Sequence, residues 1–387
     1  LYQRLEAGPS YSKDVDTELI EESRKGKNGL RHEYVFLVPK DYDPSKKYRV
    51  CFYLHGGVKR VEAWKRGEAW WRRFDRFQGT EQISVFPSSW RGALWWQSSQ
   101  IENLEGILDR IKREYNVDEN RIYLFGVSDG ATGAYYHATK APTIWAAFFP
   151  FLGHPGVLEN PATGVDGNLF VDNLSNRPMF VVNGEQDELY PVERVKPYIE
   201  TFERAGVEIV FRPQPGGHNT RWWNGEREAI DAFIESHPRN PFPDRLVWET
   251  ERTDRFERIQ WLVIEELEGE ETASSGKVAL SRRGNVVEAE TRGVSRFKLL
   301  LSPRQFDFSR PLEVVVNGVS AARTSVERSS EILLRWAARD FDRTSLFAAE
   351  LEVRVVTSGA SGSRTSLSPP RPPTPPAASA RARQGSE

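Results

Sequence analysis

The sequence predicts an α/β protein with a doubly wound, mostly parallel sheet, followed by an antiparallel β domain. From residue 31 onward, strand-like and helix-like segments alternate, which is typical of a parallel sheet covered by helices on both faces. After residue 245, short apolar runs are separated by polar turns without a helical period. The 387 residues leave room for two or three folded units.

The elements of the first part follow from apolar runs and from apolar residues at helical spacing. The predicted strands lie at 34–38, 49–54, 121–125, 145–151, 179–182 and 207–211. The predicted helices lie at 101–115, 131–138, 192–202 and 229–234. Residues 1–30 are polar and charged, and we interpret them as a surface lead-in or a partly ordered strand. The α/β domain is therefore expected to span 31–240.

The second part predicts a β-rich domain over 245–357. Its predicted strands lie at 246–248, 261–264, 297–301, 312–316, 332–336 and 351–355. The pair Asn317-Gly318 is typical of a tight hairpin turn. Residues 358–387 are rich in Ser, Pro, Arg and Ala, with too few large apolar side chains to bury, so we expect a disordered tail. The β domain is expected to attach the protein to a substrate or a wall, or to shield the α/β domain, and the tail to act as a tether.

Composition excludes several classes of function. The 53 basic and 55 acidic side chains give a net charge of −2, which does not favour nucleic acid as a partner. No apolar run reaches the roughly 18 residues of a membrane-spanning helix. Cys51 is the single cysteine, so the chain has neither an internal disulfide nor a cysteine-based metal site. Since the first residue is Leu1 rather than Met, we expect the N-terminus to be incomplete.

The most informative segment is Gly126-Val127-Ser128-Asp129-Gly130, which follows a predicted strand and opens a predicted helix. It matches Gly-x-Ser-x-Gly, in which a serine stands on a sharp strand-to-helix turn. Only small residues two places before and after the serine avoid a collision on such a turn. Ser128 is therefore the candidate nucleophile, with its hydroxyl above the sheet and a helix N-terminus beneath the developing negative charge.

A serine hydroxyl needs a base, and the chain has six histidines. In doubly wound hydrolases the chain order is serine, acid, histidine, each on a loop after a strand. That order selects His218, because His154 lies too early to leave room for an acid loop. Asp187, at the tip of the loop after strand 179–182, is the candidate acid that orients the histidine. Glu185 and Glu188 on the same loop remain rivals.

Two backbone groups are expected to bind the oxyanion of the reaction. One is the N–H of Asp129, the residue after the nucleophile. The other is the N–H of Gly57 or Val58, in the glycine-bearing loop after strand 49–54. His55 is expected to order this loop by hydrogen bonding rather than to act as the base.

Aromatic side chains accumulate between this loop and the helix at 101–115. Half of the twelve tryptophans lie within residues 64–96, interleaved with arginines. These side chains are interpreted either as a pocket wall that stacks on substrate or as the packing of a long loop. Arginines among aromatic rings are also typical of sites for single-stranded nucleic acid, but the negative net charge disfavours that partner. The candidate pocket residues are Trp95, Trp96, Trp222 and Trp223.

Four pieces in this order resemble the α/β-hydrolase superfamily: Tyr53-Leu54-His55-Gly56-Gly57, Gly126-Val127-Ser128-Asp129-Gly130, Asp187 with Pro191, and Gly217-His218-Asn219. Within it, residues 31–238 resemble the esterases near polyhydroxybutyrate depolymerases and the feruloyl and acetylxylan esterases. The resemblance implies ester hydrolysis through an acyl-enzyme, no metal or organic cofactor, and a secreted or periplasmic location. Several depolymerase relatives carry a cysteine where Gly57 stands, so this chain departs from that branch.

The sequence thus predicts a serine hydrolase that cleaves small-molecule or polymeric carboxylic esters. One alternative is a peptidase of the prolyl-oligopeptidase-like kind, although only about 30 residues precede the hydrolase pattern, too few for a large gating domain. The other is a non-catalytic carbohydrate-binding protein on a hydrolase scaffold. The acyl and alcohol specificity and the oligomeric state are not predicted by the sequence.

Overall fold

A computed structural model gives the fold and describes residues 1–77, 79, 81–269 and 275–355. Residues 1–355 form one compact unit by their internal contacts. The predicted disordered tail at 358–387 lies outside the described residues. The boundaries predicted between the α/β part and the β-rich part stay a prediction.

The first part is built on one large twisted sheet of eight strands. Its strands are β1 (Glu18–Lys25), β2 (Arg31–Val38), β3 (Tyr48–Leu54), β4 (Gln82–Pro87), β5 (Val117–Val127), β6 (Ala147–Phe151), β7 (Met179–Gly184) and β8 (Ile209–Gln214). They lie in the order β1-β2-β4-β3-β5-β6-β7-β8. β1 and β2 pair antiparallel, as do β2 and β4, and all other pairs are parallel. The predicted doubly wound, mostly parallel sheet is confirmed.

Helices cover both faces of this sheet. The α-helices of the described residues are α1 (Tyr2–Ala7), α2 (Ser98–Glu114), α3 (Asp129–Lys140), α4 (Val192–Arg204), α5 (Trp223–Ser236) and α6 (Ser330–Asp340). Short 3-10 helices lie at Trp70–Phe77, Pro155–Glu159, Pro161–Thr163 and Val171–Asn176.

Strand β3 shows how the sheet serves two cores. Val50 and Phe52 pack into the core shared with α2, α3 and α4, whereas Cys51 and Tyr53 pack into the core shared with α5. Because successive side chains of a strand point to opposite faces, a continuous apolar run fits a strand covered on both sides. The apolar run at 49–54 is therefore buried in the middle of the sheet, as its composition predicts.

The polar N-terminal segment contains more regular structure than a surface lead-in. Helix α1 is followed by β1, which pairs along its whole length with β2 from Glu18 opposite Val38 to Lys25 opposite Arg31. Strand β1 is thus an edge strand, which needs only a half-buried side-chain pattern. This explains why its sequence remains polar.

The C-terminal part folds into two smaller sheets. Its strands are β9 (Arg245–Thr250), β10 (Arg258–Ile259), β11 (Leu262–Leu267), β12 (Gly276–Arg283), β13 (Val286–Arg292), β14 (Val294–Leu301), β15 (Leu312–Val316), β16 (Val319–Thr324) and β17 (Ala349–Arg354). One sheet has the order β10-β11-β14-β17 and the other β16-β15-β13-β12-β9. All pairs are antiparallel except β13 with β15.

Asn317 and Gly318 form the predicted hairpin turn between β15 and β16, with φ values of 51° and 80°. A tight hairpin turn of this kind needs positive φ at both central residues, which Asn and Gly adopt most readily.

The strand predicted at 332–336 is wrong, because this segment lies inside α6. The Ser329 hydroxyl caps the helix by accepting the N–H of Ile332 at 3.2 Å. Leu333 and Trp336 are buried while Leu334, between them, is 48% exposed. Apolar burial three residues apart is the helical pattern, and the serine cap was the signal that sequence reasoning missed.

A buried ion pair joins the end of the α/β part to the loop before β17. Arg239 donates to Asp342 at 2.7 Å, and their side chains are 1% and 6% exposed. The Arg239 guanidinium also donates to the side chains of Asn120 and Thr344. Burial alone would raise the pKa of Asp342, but Arg239, Lys112 and the Thr344 hydroxyl together lower it to about 2.

No helix within the described residues is both long enough and apolar enough to cross a membrane.

Candidate active site

Ser128 stands on a sharp turn between β5 and α3. Its backbone has φ 58° and ψ −119°, a region that residues with a side chain rarely adopt. A Cβ atom at Gly126 would lie 2.0 Å from the carbonyl oxygen of Gly130, and one at Gly130 would lie 2.0 Å from that of Leu54. The turn therefore needs glycine at both positions, as the Gly-x-Ser-x-Gly spacing predicts.

The loops after β7 and β8 carry Asp187 and His218, and they pack against each other. The Glu185 N–H donates to the Gln214 carbonyl at 2.8 Å, and the Gln186 N–H donates to the Gly216 carbonyl at 3.0 Å. A Cβ atom at Gly184 would lie 2.6 Å from the Gly216 carbonyl oxygen. Because the carboxyl ends of parallel strands meet at one edge of the sheet, residues far apart in the chain meet here.

The structure brings Ser128, His218 and Asp187 into one hydrogen-bonded row. Nε2 of His218 lies 2.9 Å from Oγ of Ser128, and Nδ1 of His218 lies 2.7 Å from Oδ2 of Asp187. A carboxylate only accepts hydrogen bonds, so Nδ1 carries the proton and Nε2 is left to accept the serine hydroxyl. The His218 ring is thereby oriented with Nε2 toward the Ser128 hydroxyl.

The Asp187 carboxylate is fully enclosed, with its side chain 0% exposed. Its Oδ1 accepts the N–H groups of Leu189 and Tyr190 at 2.9 and 3.0 Å, while Oδ2 faces the histidine. The rivals Glu185 and Glu188 are exposed, and neither is hydrogen-bonded to His218. Among the three acids of this loop, Asp187 is the one placed against the histidine.

Tyr190 is a neighbour of the site that sequence reasoning did not single out. Its ring packs edge-on against His218 with 5.8 Å between ring centroids and also contacts the ring of His154. Burial raises the pKa of its hydroxyl. The signal was its place three residues after Asp187, inside the turn that the carboxylate stabilises.

The loop after β3 lies directly against Ser128. A Cβ atom at Gly56 would lie 2.8 Å from Cβ of Ser128, so only glycine allows this approach. Gly57 has φ 74°, and the N–H groups of Gly57 and Val58 both donate to Oδ2 of Asp129 at 2.9 Å. The candidate oxyanion donors of Gly57 and Val58 are thus hydrogen-bonded to the side chain of Asp129, whose own N–H is the other candidate donor.

His55 orders this loop through hydrogen bonds to backbone groups. Its Nδ1 lies 2.9 Å from the Gly56 carbonyl oxygen, and its Nε2 accepts the Ser89 N–H at 3.0 Å. Burial lowers its pKa to about 4, so it is neutral at pH 7. His55 lies in hydrogen bonds with backbone groups, which is the ordering role that the sequence predicts.

The candidate pocket tryptophans are mostly buried. Trp95 has no exposed surface and donates its indole N–H to the His55 carbonyl at 2.8 Å. Trp96 donates to the Thr163 carbonyl at 3.0 Å. Trp222 and Trp223 are 8% and 4% exposed, and both pack on Phe151. Trp95 and Trp96 thus hold neighbouring loops through their indole N–H groups, and a substrate contact of any of the four tryptophans stays a prediction.

No family model matches the chain. Among curated proteins, a bifunctional acetylxylan esterase/xylanase from Neocallimastix patriciarum is 26% identical over 125 residues, which cover 31% of this chain and 17% of that protein. The chain resembles the α/β-hydrolase esterases.

Several solved structures are also similar to part of the chain. A thermostable esterase is 22% identical, with a TM-score of 0.44 over 57% of this chain and 64% of that one. A ferulic acid esterase is 20% identical, with a TM-score of 0.45 over 57% of this chain and 98% of that one. An acylaminoacyl peptidase from Pyrococcus horikoshii is 15% identical, with a TM-score of 0.46 over 58% of this chain and 42% of that one.

Proposed function

We propose that this chain is a serine hydrolase that cleaves carboxylic esters through an acyl-enzyme, with Ser128, His218 and Asp187 as its catalytic triad. The observation that carries the proposal is the row of contacts from Oγ of Ser128 through the His218 ring to the buried carboxylate of Asp187. A serine is activated when a base lies within hydrogen-bond reach of its hydroxyl and an acid within the same reach orients that base. The similarity to an acetylxylan esterase supports ester as the substrate class.

In the first half of the reaction, Oγ of Ser128 attacks the ester carbonyl carbon while Nε2 of His218 takes the hydroxyl proton. Asp187 stabilises the imidazolium ion that forms, since its carboxylate accepts a hydrogen bond from Nδ1–H while the proton stays on the ring. Nε2 then gives its proton to the leaving alcohol, and the acyl group stays on Oγ. In the second half, the oxygen of a water molecule attacks the acyl carbon while Nε2 takes a proton from the water. Nε2 then returns this proton to Oγ, and the carboxylic acid is released.

The oxyanion of the tetrahedral intermediate is assigned to backbone donors. The N–H of Asp129 belongs to the first turn of α3, where it has no intrahelical partner. The N–H of Gly57 or Val58 supplies the second donor from the loop that packs on Ser128. Such fixed donors act where charge develops in the transition state.

The assignment is tested by the substitution Ser128→Ala, measured with purified protein and 4-nitrophenyl acetate. Loss of the nucleophile should lower kcat by about 10³-fold or more, because the acyl-enzyme no longer forms. The matched control is Ser236→Ala, an exposed serine near the end of α5, which should leave turnover unchanged. Turnover by Ser128→Ala equal to that of the wild type would remove the proposal.

Two further measurements separate the alternatives. A panel of short peptides beside esters of varied acid and alcohol distinguishes an esterase from a peptidase. Labelling with a fluorophosphonate, followed by mass spectrometry of the peptide that contains Ser128, distinguishes a hydrolase from a non-catalytic binding protein. We expect ester turnover, weak or no peptide turnover, and labelling at Ser128.

A further inference from the structure

The side chain of Asp129 occupies the donors that the proposed reaction needs. Its Oδ2 atom accepts the N–H groups of both Gly57 and Val58 at 2.9 Å. The positive φ of Gly57 turns these two successive N–H groups toward one point, which is the geometry of an anion-binding backbone nest. A carboxylate therefore accepts both of these N–H groups, in the loop that packs on Ser128.

No ion pair competes for this carboxylate among the described residues. Asp129 is half-buried, in the first turn of α3. The two backbone donors are thus its hydrogen-bond partners, and hydrogen bonds to an ionised acceptor are about twice as strong as neutral ones. The ester carbonyl of a neutral substrate is a weaker acceptor and has to compete with it.

The competition between the Asp129 carboxylate and the substrate oxygen for the Gly57 and Val58 N–H groups becomes stronger as the reaction proceeds. The tetrahedral intermediate carries a full negative charge on the former carbonyl oxygen, and that charge needs the same donors. Two negative charges that share one N–H group repel each other, since they lie within a few ångströms. The Asp129 carboxylate and the oxyanion therefore exclude each other from this loop.

The loop after β3 also has contacts that do not involve Asp129. Nδ1 of His55 is hydrogen-bonded to the Gly56 carbonyl, and Trp95 donates to the His55 carbonyl at 2.8 Å. Gly56 also packs closely on Ser128. With these contacts at His55 and Gly56, we expect the loop to keep its donors in place when the Asp129 side chain turns away.

We propose that the Asp129 carboxylate is a gate on the oxyanion site, which holds the Gly57 and Val58 donors until the substrate carbonyl displaces it. The inference rests on the proposed function, because it assigns the same donors to the ester oxygen. It makes Asp129 a specificity-determining residue: substrates whose carbonyl oxygen is a strong acceptor displace the carboxylate more readily and react faster.

The test compares the wild type with Asp129→Asn and Asp129→Ala, using 4-nitrophenyl acetate turnover and the rate of inactivation by a fluorophosphonate. Asn keeps the size of the side chain and one acceptor oxygen but removes the charge. Both variants should raise kcat/KM and the inactivation rate by about tenfold, the effect of exchanging a charge-assisted for a neutral competitor. Asp231→Asn, an exposed carboxylate on α5, is the control and should change neither rate.

Other outcomes overturn the gate. If Asp129→Asn equals the wild type and Asp129→Ala is slower, the side chain positions the loop through its acceptor oxygen and does not block it. If both variants are slower while their thermal unfolding midpoints match the wild type, the carboxylate assists the reaction directly. Failure of the proposed function looks different, since the wild type would then neither turn over the ester nor react with the fluorophosphonate at Ser128.

Discussion

Asp187 illustrates at the scale of one residue how much a side chain depends on its surroundings. Its Oδ1 is fixed by two backbone N–H groups of its own turn, which leaves Oδ2 directed at His218. The neighbouring Glu185 and Glu188 carry the same chemical group but point to solvent. Position in the turn, rather than charge, selects the acid.

The substitution Asp187→Asn tests this selection. Asn keeps the shape of the side chain, but its NH2 group favours the wrong tautomer of His218, so we expect kcat to fall by about 10²- to 10⁴-fold. The measurement is steady-state turnover of 4-nitrophenyl acetate. Glu188→Gln is the matched control on the same loop, and its kcat should stay near that of the wild type. If Glu188→Gln lowered kcat as much as Asp187→Asn does, Glu188 would be the better candidate for the acid.

At the scale of elements, the turn from β5 to α3 depends on its two glycines. The positive φ of Ser128 is a strained conformation, and it persists because strand and helix hold the residue at both ends. Gly130 lies so close to the Leu54 carbonyl that α3 packs onto β3 without a side chain between them. The backbone geometry of Ser128 and the packing of α3 on β3 are thus coupled.

We therefore expect Gly130→Ala to lower both stability and activity. The added methyl group would meet the Leu54 carbonyl oxygen at 2.0 Å, so strand and helix must separate, at a cost of about 1–3 kcal/mol or more. Urea unfolding and ester turnover measure the two effects. The control is Gly225→Ala in α5, whose Cβ would meet nothing within 4 Å and which should raise stability by up to about 1 kcal/mol. Equal stabilities for the two variants would contradict this account.

Elements with a strong apolar pattern were predictable from the sequence alone. Helix α2 follows from Ile101, Leu104 and Ile107, all of which are buried. Strand β1 was only partly predictable, because an edge strand needs no apolar face. The segment at 332–336 was mistaken for a strand because a short apolar run satisfies both periods, and the cap at Ser329 decides between them.

At the scale of the whole molecule, burial keeps three histidines neutral. Burial lowers the pKa of His32 and His55 to about 4 and that of His137 to about 3. In the unfolded chain a histidine has a pKa of about 6.5, so below that pH the unfolded state binds more protons than the folded state. Stability should therefore fall as pH decreases from 6.5 toward 4.

The effect is measurable by urea unfolding at pH 7 and pH 5. Each of these histidines should contribute about 2 kcal/mol of the loss between the two pH values, by linkage to the unfolded chain. His137→Phe removes one titrating group from the buried face of α3, where the ring packs edge-on against Trp145. The variant should show a smaller difference between pH 7 and pH 5, whatever its stability at pH 7. A difference as large as that of the wild type would refute the role of His137.

The sequence by itself determined the α/β architecture, the β-rich part and the three candidate triad residues, because apolar period and motif spacing are local properties of the chain. Only the tertiary structure decided which acid meets His218 and what the Gly57 and Val58 donors contact, since those contacts join loops from different strands. Hydrogen bonds between residues 31 to 90 positions apart depend on how the sheet aligns its strand ends. That alignment follows from packing in three dimensions, which a linear pattern does not contain.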